Sequence, residues 1–95
     1  MTSIDQDMEV VYFVHAAGCQ ACEATAPEID KFEAKHPRTM VLRIDAAGPL
    51  PGILGLKVKA TPMFAFRRGA EMVTWVGATK EKEIESRLKK LGARL

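Results

Sequence analysis

The apolar run Glu9–Val14, EVVYFV, gives way to a helical period within a few residues, and both cysteines of the chain sit at the changeover. An unbroken stretch of β-branched and aromatic residues reads as a strand buried on both faces. Beyond AAGC, the residues Ala21, Ala24, Thr25, Ile29 and Phe32 recur at helical spacing as far as Lys35, where His36-Pro37 ends the helix. Thr39–Asp45, TMVLRID, reads as a second strand whose core, Val41–Ile44, suits a parallel neighbour of the first. A helix joining two parallel strands makes a right-handed crossover. Pro27 lies inside the helical pattern, where its missing N–H and its ring predict a bend.

The remainder of the chain adds a loop, a hairpin and a helix. Between Ala46 and Lys59, Gly48, Pro49, Pro51, Gly52 and Gly55 break up Leu50, Ile53, Leu54 and Leu56, which predicts a loop with one short helix. Met63–Phe66 and Met72–Val76 read as two strands joined through RRGAE, with Gly69 supplying a positive φ. From Thr79 onward Ile84, Leu88, Leu91 and Leu95 fall at helical spacing, with Thr79 as the expected cap and Gly92 at a fraying end. Glu81, Glu83 and Glu85 toward the start of this helix, and Lys89 and Lys90 toward its end, suit the helix dipole and read as a solvated face. The element order is βαβ-ββα, an α/β chain.

Composition excludes several classes. At 95 residues one domain, 1–95, is expected. The 14 basic and 12 acidic side chains are interspersed, net +2, and form no basic stripe of the kind a phosphate backbone requires, so no nucleic-acid partner is expected. No apolar run approaches the ~20 residues that span a bilayer. The stretch MTSIDQDMEV has acids where a secretory leader has bases and lacks the apolar segment that would follow, which places the chain in the cytoplasm. Thiols there are kept reduced, so a cysteine pair reads as reactive or metal-binding rather than as a structural staple. The five dispersed methionines read as core filler.

The position of the cysteines decides their chemistry. A thiol at a helix N-terminus faces unpaired backbone N–H groups and the positive end of the dipole, and both favour the thiolate. Cys19 comes first, with Gly18 before it to let a partner chain approach. Cys22, one helical turn further on, is within disulfide distance. Cys19 is then the nucleophile on a substrate disulfide, and Cys22 resolves the mixed disulfide.

At these residues the chain resembles the thioredoxin superfamily, over nearly its whole length. CQAC matches the family's C-x-x-C after its first central strand, Pro27 matches the proline that kinks the redox helix, and Thr61-Pro62 of KATPMF falls where the family places a cis-proline opposite the cysteines. GAEMVTWVGA looks like the family's last hairpin, with Gly77 in the place of a glycine bordering the substrate groove. The resemblance implies a thioredoxin-like fold of short, glutaredoxin-like size: a four-stranded mixed sheet in the order 2-1-3-4, strand 3 antiparallel to strand 1, with helices on both faces. It implies a monomeric thiol-disulfide oxidoreductase that reduces protein disulfides and holds no bound cofactor beyond the Cys19-Cys22 couple. Recycling would come from a flavin-dependent reductase of the thioredoxin reductase kind or from glutathione. Gly18, Gln20, Ala60, Thr61, Pro62 and Gly77 are then the substrate-binding positions, with the Thr61 backbone pairing to an extended substrate and Pro62 keeping metal ions from the thiolates.

Departures from the family pattern surround the motif. Where thioredoxins read W-C-G-P-C, Gly18 replaces the Trp and Gln20-Ala21 replaces Gly-Pro; Phe13 and Val41 stand where the family carries a buried Asp and Lys. Gln20 brings no charge between the cysteines, which points to a reductant. The proton of Cys22 needs another acceptor. His15 is the first candidate, since histidine changes charge near neutral pH; its other reading is a structural residue at a strand end. Glu23 is the second, its other reading being a first-turn acid on the helix dipole. His36 reads as solvent-facing. Trp75 shares a face with Gly77 and either lines the groove or packs against a helix. Lys57, Lys59, Arg67 and Arg68 either steer an acidic partner or are solvated.

Two other classes stand beside this reading. C-x-x-C occurs in metal sites, but only His15 and His36 could complete a zinc site and neither has the spacing, so no metal is expected. A glutaredoxin-like glutathione site lacks the usual Pro-Tyr between the cysteines. A protein-binding adaptor on the same fold would have no need of both cysteines.

Overall fold

In the computed structural model, which describes residues 8–95, the elements follow in the order β1 (Glu9–His15), α1 (Gln20–Lys35), β2 (Met40–Asp45), α2 (Leu50–Ile53), β3 (Met63–Arg68), β4 (Glu71–Val76) and α3 (Glu81–Lys90). The acidic N-terminal stretch lies outside the described residues except for Met8, Glu9 and Val10. The sheet order is β2-β1-β3-β4, with β2 parallel to β1 and the other pairs antiparallel, as the family resemblance implies. β1 is central, and its EVVYFV run is buried on both faces because each alternate residue meets a different core.

On the first face Val11, Phe13, Phe64 and Phe66 of the sheet pack with Cys22, Ile29 and Phe32 of α1 and Ile84 and Leu88 of α3. Phe64, fully buried, lies 5.4 Å from the Phe13 ring and stacks on Trp75 at 5.0 Å. Trp75 is therefore a packing residue: Arg87 lies over its ring, and its indole N–H donates to Thr79 Oγ1. On the second face Val10, Tyr12, Val14, Ile44, Met63 and Ala65 are covered by Leu56 and by Ala46, Leu54 and Val58 of the segment that includes α2.

The hairpin is tighter than expected. Both strands run further, Arg68 pairs with Glu71, and only Gly69 and Ala70 form the turn. Gly69 alone has a positive φ, 58°, which is the signature of a type II′ turn with glycine first. The longer β3 also takes in Arg67 and Arg68, and neither is merely solvated. Arg67 donates to the Leu54 carbonyl, while Arg68 pairs with Glu9 and donates to the Gly92 carbonyl, fastening β3 to the end of α3.

Four readings of α3 and its surroundings are corrected by the contacts made there. Thr79 does not cap the helix: its hydroxyl donates to the Gly77 carbonyl, and Lys80 occupies the cap position without a side-chain bond. The free N–H of Glu81 is met instead by Glu28 Oε1 of α1 at 2.9 Å. The charged side of the helix is solvated only in part: Glu83, Lys89 and Lys90 are exposed as expected, but Glu81 is buried and pairs with Lys35, and Glu85 pairs with His36. His36, expected in solvent, is half-buried against Phe32. At the other end Gly92 N–H bonds to Lys89 and Ala93 N–H to Leu88, a Schellman closure in place of fraying, and Leu95 lies beyond the helix. The methionines divide: Met63 is core, whereas Met8 and Met40 are exposed.

These polar ties predict how the fold responds to acid. The Glu81 backbone N–H, with Lys31, holds the Glu28 carboxyl below its ordinary value, and the hydrogen bond from His36 does the same for Glu85. A carboxyl depressed in the folded chain stabilises it above the unfolded-state pKa, and this stabilisation is lost as pH falls through the folded value. Glu28→Gln is expected to lower the urea midpoint at neutral pH, and the gap from wild type is expected to close as the pH is lowered through the carboxylate range. A gap independent of pH would contradict the assignment.

Candidate functional site

The site is made where β1 ends and α1 begins. Gly18 takes φ +74°, a left-handed conformation that turns the chain from the strand into the helix, with open space around its Cα. Cys19 follows at the N-cap in an extended conformation, φ −88° and ψ 103°, and its Sγ accepts a hydrogen bond from Cys22 N–H at 3.1 Å. The sulfur thus does the work of a capping oxygen. Gln20 is exposed on the first turn.

Cys19 and Cys22 are joined as a disulfide with a Cα separation of 5.2 Å. The two sulfurs differ in access: Cys19 is half-exposed, whereas Cys22 is 4% exposed and belongs to the first core. The same Cys19 sulfur, once reduced, keeps its place before the backbone N–H groups and the positive end of a 16-residue helix, the setting that favours a thiolate.

The register of the sheet brings the other predicted positions to the same end. Val14 pairs with Met63, and Met63 with Val76, so Pro62 and Gly77 lie beside the strand end that carries His15. The Thr61–Pro62 peptide is cis, and the Pro62 carbonyl accepts from Gly77 N–H at 2.8 Å. Pro62 is buried, Thr61 half-buried and Ala60 exposed, which leaves Ala60 and Thr61 at the surface next to this edge.

His15 and Glu23 are also brought together. With Phe13, Ala16, Cys22, Ala26 and Arg43 they line an open cavity of about 260 Å³ on the inner side of the disulfide. His15 is half-buried, 5.8 Å from the Phe13 ring, and Glu23 is exposed at the rim. Arg43 was not singled out from the sequence. It follows Val41 by two on β2, and so shares that residue's face; Asp30 and Glu33 of α1 hold its guanidinium at 2.6 and 2.5 Å and keep its pKa raised. That alternation was the available signal. Among the described residues no group of three or more His, Cys, Asp or Glu side chains is arranged to hold a metal ion, and no helix is long and apolar enough to cross a membrane.

The comparisons agree with this geometry. The thioredoxin family profile matches residues 2–90. Among solved structures, the chain is similar to thioredoxin-2 of the malaria parasite, with a TM-score of 0.75 and 22% identity over 88% of this chain and 84% of that one. It is similar to Fasciola hepatica thioredoxin, with a TM-score of 0.74 and 18% identity over 90% and 83%. It is also similar to mitochondrial thioredoxin 3 of Saccharomyces cerevisiae in its oxidized form, with a TM-score of 0.73 and 20% identity over 92% and 82%. No functionally curated protein matches the sequence.

The turn at Gly18 can be tested by itself. Because a Cβ there meets nothing, Gly18→Ala carries only the backbone cost of the left-handed region, about 1–2 kcal/mol. That loss is expected in urea unfolding of the oxidised protein, and an unchanged midpoint would show that the turn readily adopts another conformation.

Proposed function

The chain belongs to the thioredoxin family, and on that footing we propose that it is a thiol-disulfide oxidoreductase that reduces protein disulfides through Cys19 and Cys22. One observation carries the reading: a disulfide whose half-exposed sulfur caps a long helix and whose partner sulfur is buried. In the reduced protein the Cys19 thiolate attacks one sulfur of the substrate disulfide, forms a mixed disulfide and expels the other substrate sulfur as a thiolate. Cys22 then attacks Cys19 Sγ, closing the Cys19–Cys22 bond and releasing the second substrate thiol. Two electrons pass to the substrate, and the proton of Cys22 leaves for a base or water.

His15 is the proposed proton acceptor, with Glu23 second, because both line the cavity that Cys22 also lines. Phe13 lines that cavity with the cysteine, and Val41 packs against the core cluster that includes it, so neither supplies a charged group and the cavity is the proposed route to a titratable one. Gly18, Gln20, Ala60, Thr61, Pro62 and Gly77, collected at one end of the sheet, are the proposed contact surface for an extended substrate strand. A reductase of the thioredoxin reductase kind or glutathione would return two electrons to the disulfide, in the reducing cytoplasm. Gln20 between the cysteines supports the reductive direction, since it offers the thiolate no positive charge.

Two experiments test this. Cys22→Ser is expected to trap mixed disulfides through Cys19 and Cys19→Ser to trap none, read by non-reducing electrophoresis of protein incubated with oxidised insulin; the reverse pattern would exchange the two roles. His15→Ala is expected to alter the pH profile of insulin reduction while leaving mixed-disulfide formation by the Cys22→Ser background intact. An unchanged profile would return His15 to a structural role.

A further inference from the structure

Four cations flank Ala60–Thr61–Pro62 in the sequence, Lys57, Lys59, Arg67 and Arg68, and the fold divides them into two pairs. Arg67 and Arg68 belong to the hairpin end of β3 and are engaged there, Arg67 by the Leu54 carbonyl and Arg68 by Glu9. Lys57 and Lys59 are left over. Both are exposed, and among the described residues neither ammonium group takes part in an ion pair or a hydrogen bond.

Their backbone is held although their charges are not. Leu56 is buried in the second core and Val58 packs against it, so burial alternates along the segment and turns Lys57 and Lys59 outward together. Leu56 N–H donates to the Pro51 carbonyl at 2.7 Å, which ties the start of the segment to α2, and beyond its end Met63 enters the sheet opposite Val14. Lys59 is two residues from Thr61 and Lys57 four, at most about 7 and 14 Å along the chain.

The two flanks of the redox site differ in sign as a result. The strand order puts β3 on one side of β1 and β2 on the other. On the β3 side, the chain between Asp45 and Glu81 holds a single acidic residue, Glu71, and its pairing with Arg68 places it at the opposite end of the sheet from Pro62 and Gly77. On the β2 side Glu23 and Asp45 are exposed with no ion pair among the described residues, while the Arg43 charge is met by Asp30 and Glu33. A chain seated on the site therefore runs between a negative rim and a positive one.

We propose that Lys57 and Lys59 select protein disulfides whose reactive cysteine is flanked by acidic residues, the substrate strand beside Thr61 carrying its carboxylates onto the cis-proline rim. The assignment rests on the oxidoreductase reading above and names the class of substrate that reading leaves open. Unpaired cations at the mouth of a site speed the encounter with an acidic partner and repel a basic one. Lysine is a point charge on a flexible stem, not a fixed fork, so the selection is for an acidic flank in general and not for one exact spacing.

The test uses two cyclic peptides that are alike except for Glu or Lys on either side of their single disulfide. Each is mixed with protein that has been reduced and then freed of reductant, and the second-order rate of peptide reduction is read by acid quench and chromatography. At low ionic strength the Glu peptide is expected to react about fivefold faster or more. The gap is expected to close at about 1 M salt, where the screening length is about 3 Å. In Lys57→Glu/Lys59→Glu the order of the two peptides is expected to reverse, a change that misfolding, which slows both, does not produce. Equal rates for the two peptides, a gap that survives high salt, or a preference that the double variant leaves in place would overturn the proposal. Reduction of neither peptide would instead overturn the oxidoreductase reading beneath it.

Discussion

The hydrogen bond from Cys22 N–H to Cys19 Sγ is where folding and chemistry are the same interaction. A helix entered directly from a buried strand leaves its first N–H groups without partners, and some side chain must meet them. Here a sulfur does so, with the consequence that the group completing the helix is also the group exposed to solvent at the mouth of the site. Everything upstream serves to deliver it there: β1 is buried on both faces and so fixed in the sheet, and Gly18 turns the chain at φ +74°. Everything downstream serves to hold the helix, through Ile29 and Phe32 in the first core.

The far end of α1 is held by charge. Glu28 receives Glu81 N–H, Lys35 pairs with Glu81, and His36 pairs with Glu85, so three successive contacts join α1 to α3. Surface ion pairs by themselves contribute little. The value of this set lies in orientation, because the Glu28 contact replaces a cap that α3 does not make for itself.

Much of the architecture was legible because it rests on local period. EVVYFV, the shift to helical spacing after Gly18, and Gly69 before a second apolar run each carry their structure in a short window, and together with CQAC and Thr61-Pro62 they lead to the sheet order. What could not be read depends on partners far apart in the chain. Thr79 has the right chemistry for a cap and loses the position because Gly77 and Trp75 engage its hydroxyl. Glu81, Glu85 and His36 look like surface charges until α1 and α3 are side by side. Arg43 enters the cavity beside Cys22 only once β2 lies against β1, and Met40 and Leu42, apolar by sequence, prove exposed because β2 is the outer strand of the sheet among the described residues.

The unequal access of the two sulfurs also bears on oxidative damage. Peroxide reaching the reduced protein meets the half-exposed Cys19 first and converts it to a sulfenic acid, while the buried Cys22 is shielded. Cys22, one turn away at a Cα separation of 5.2 Å, can condense with that sulfenic acid, expelling water and closing the disulfide. The first oxidative insult therefore ends in the ordinary oxidised form, from which any dithiol reductant recovers the protein, and the irreversible sulfinic and sulfonic rungs are reached only if a second oxidant molecule outruns a neighbour already in place.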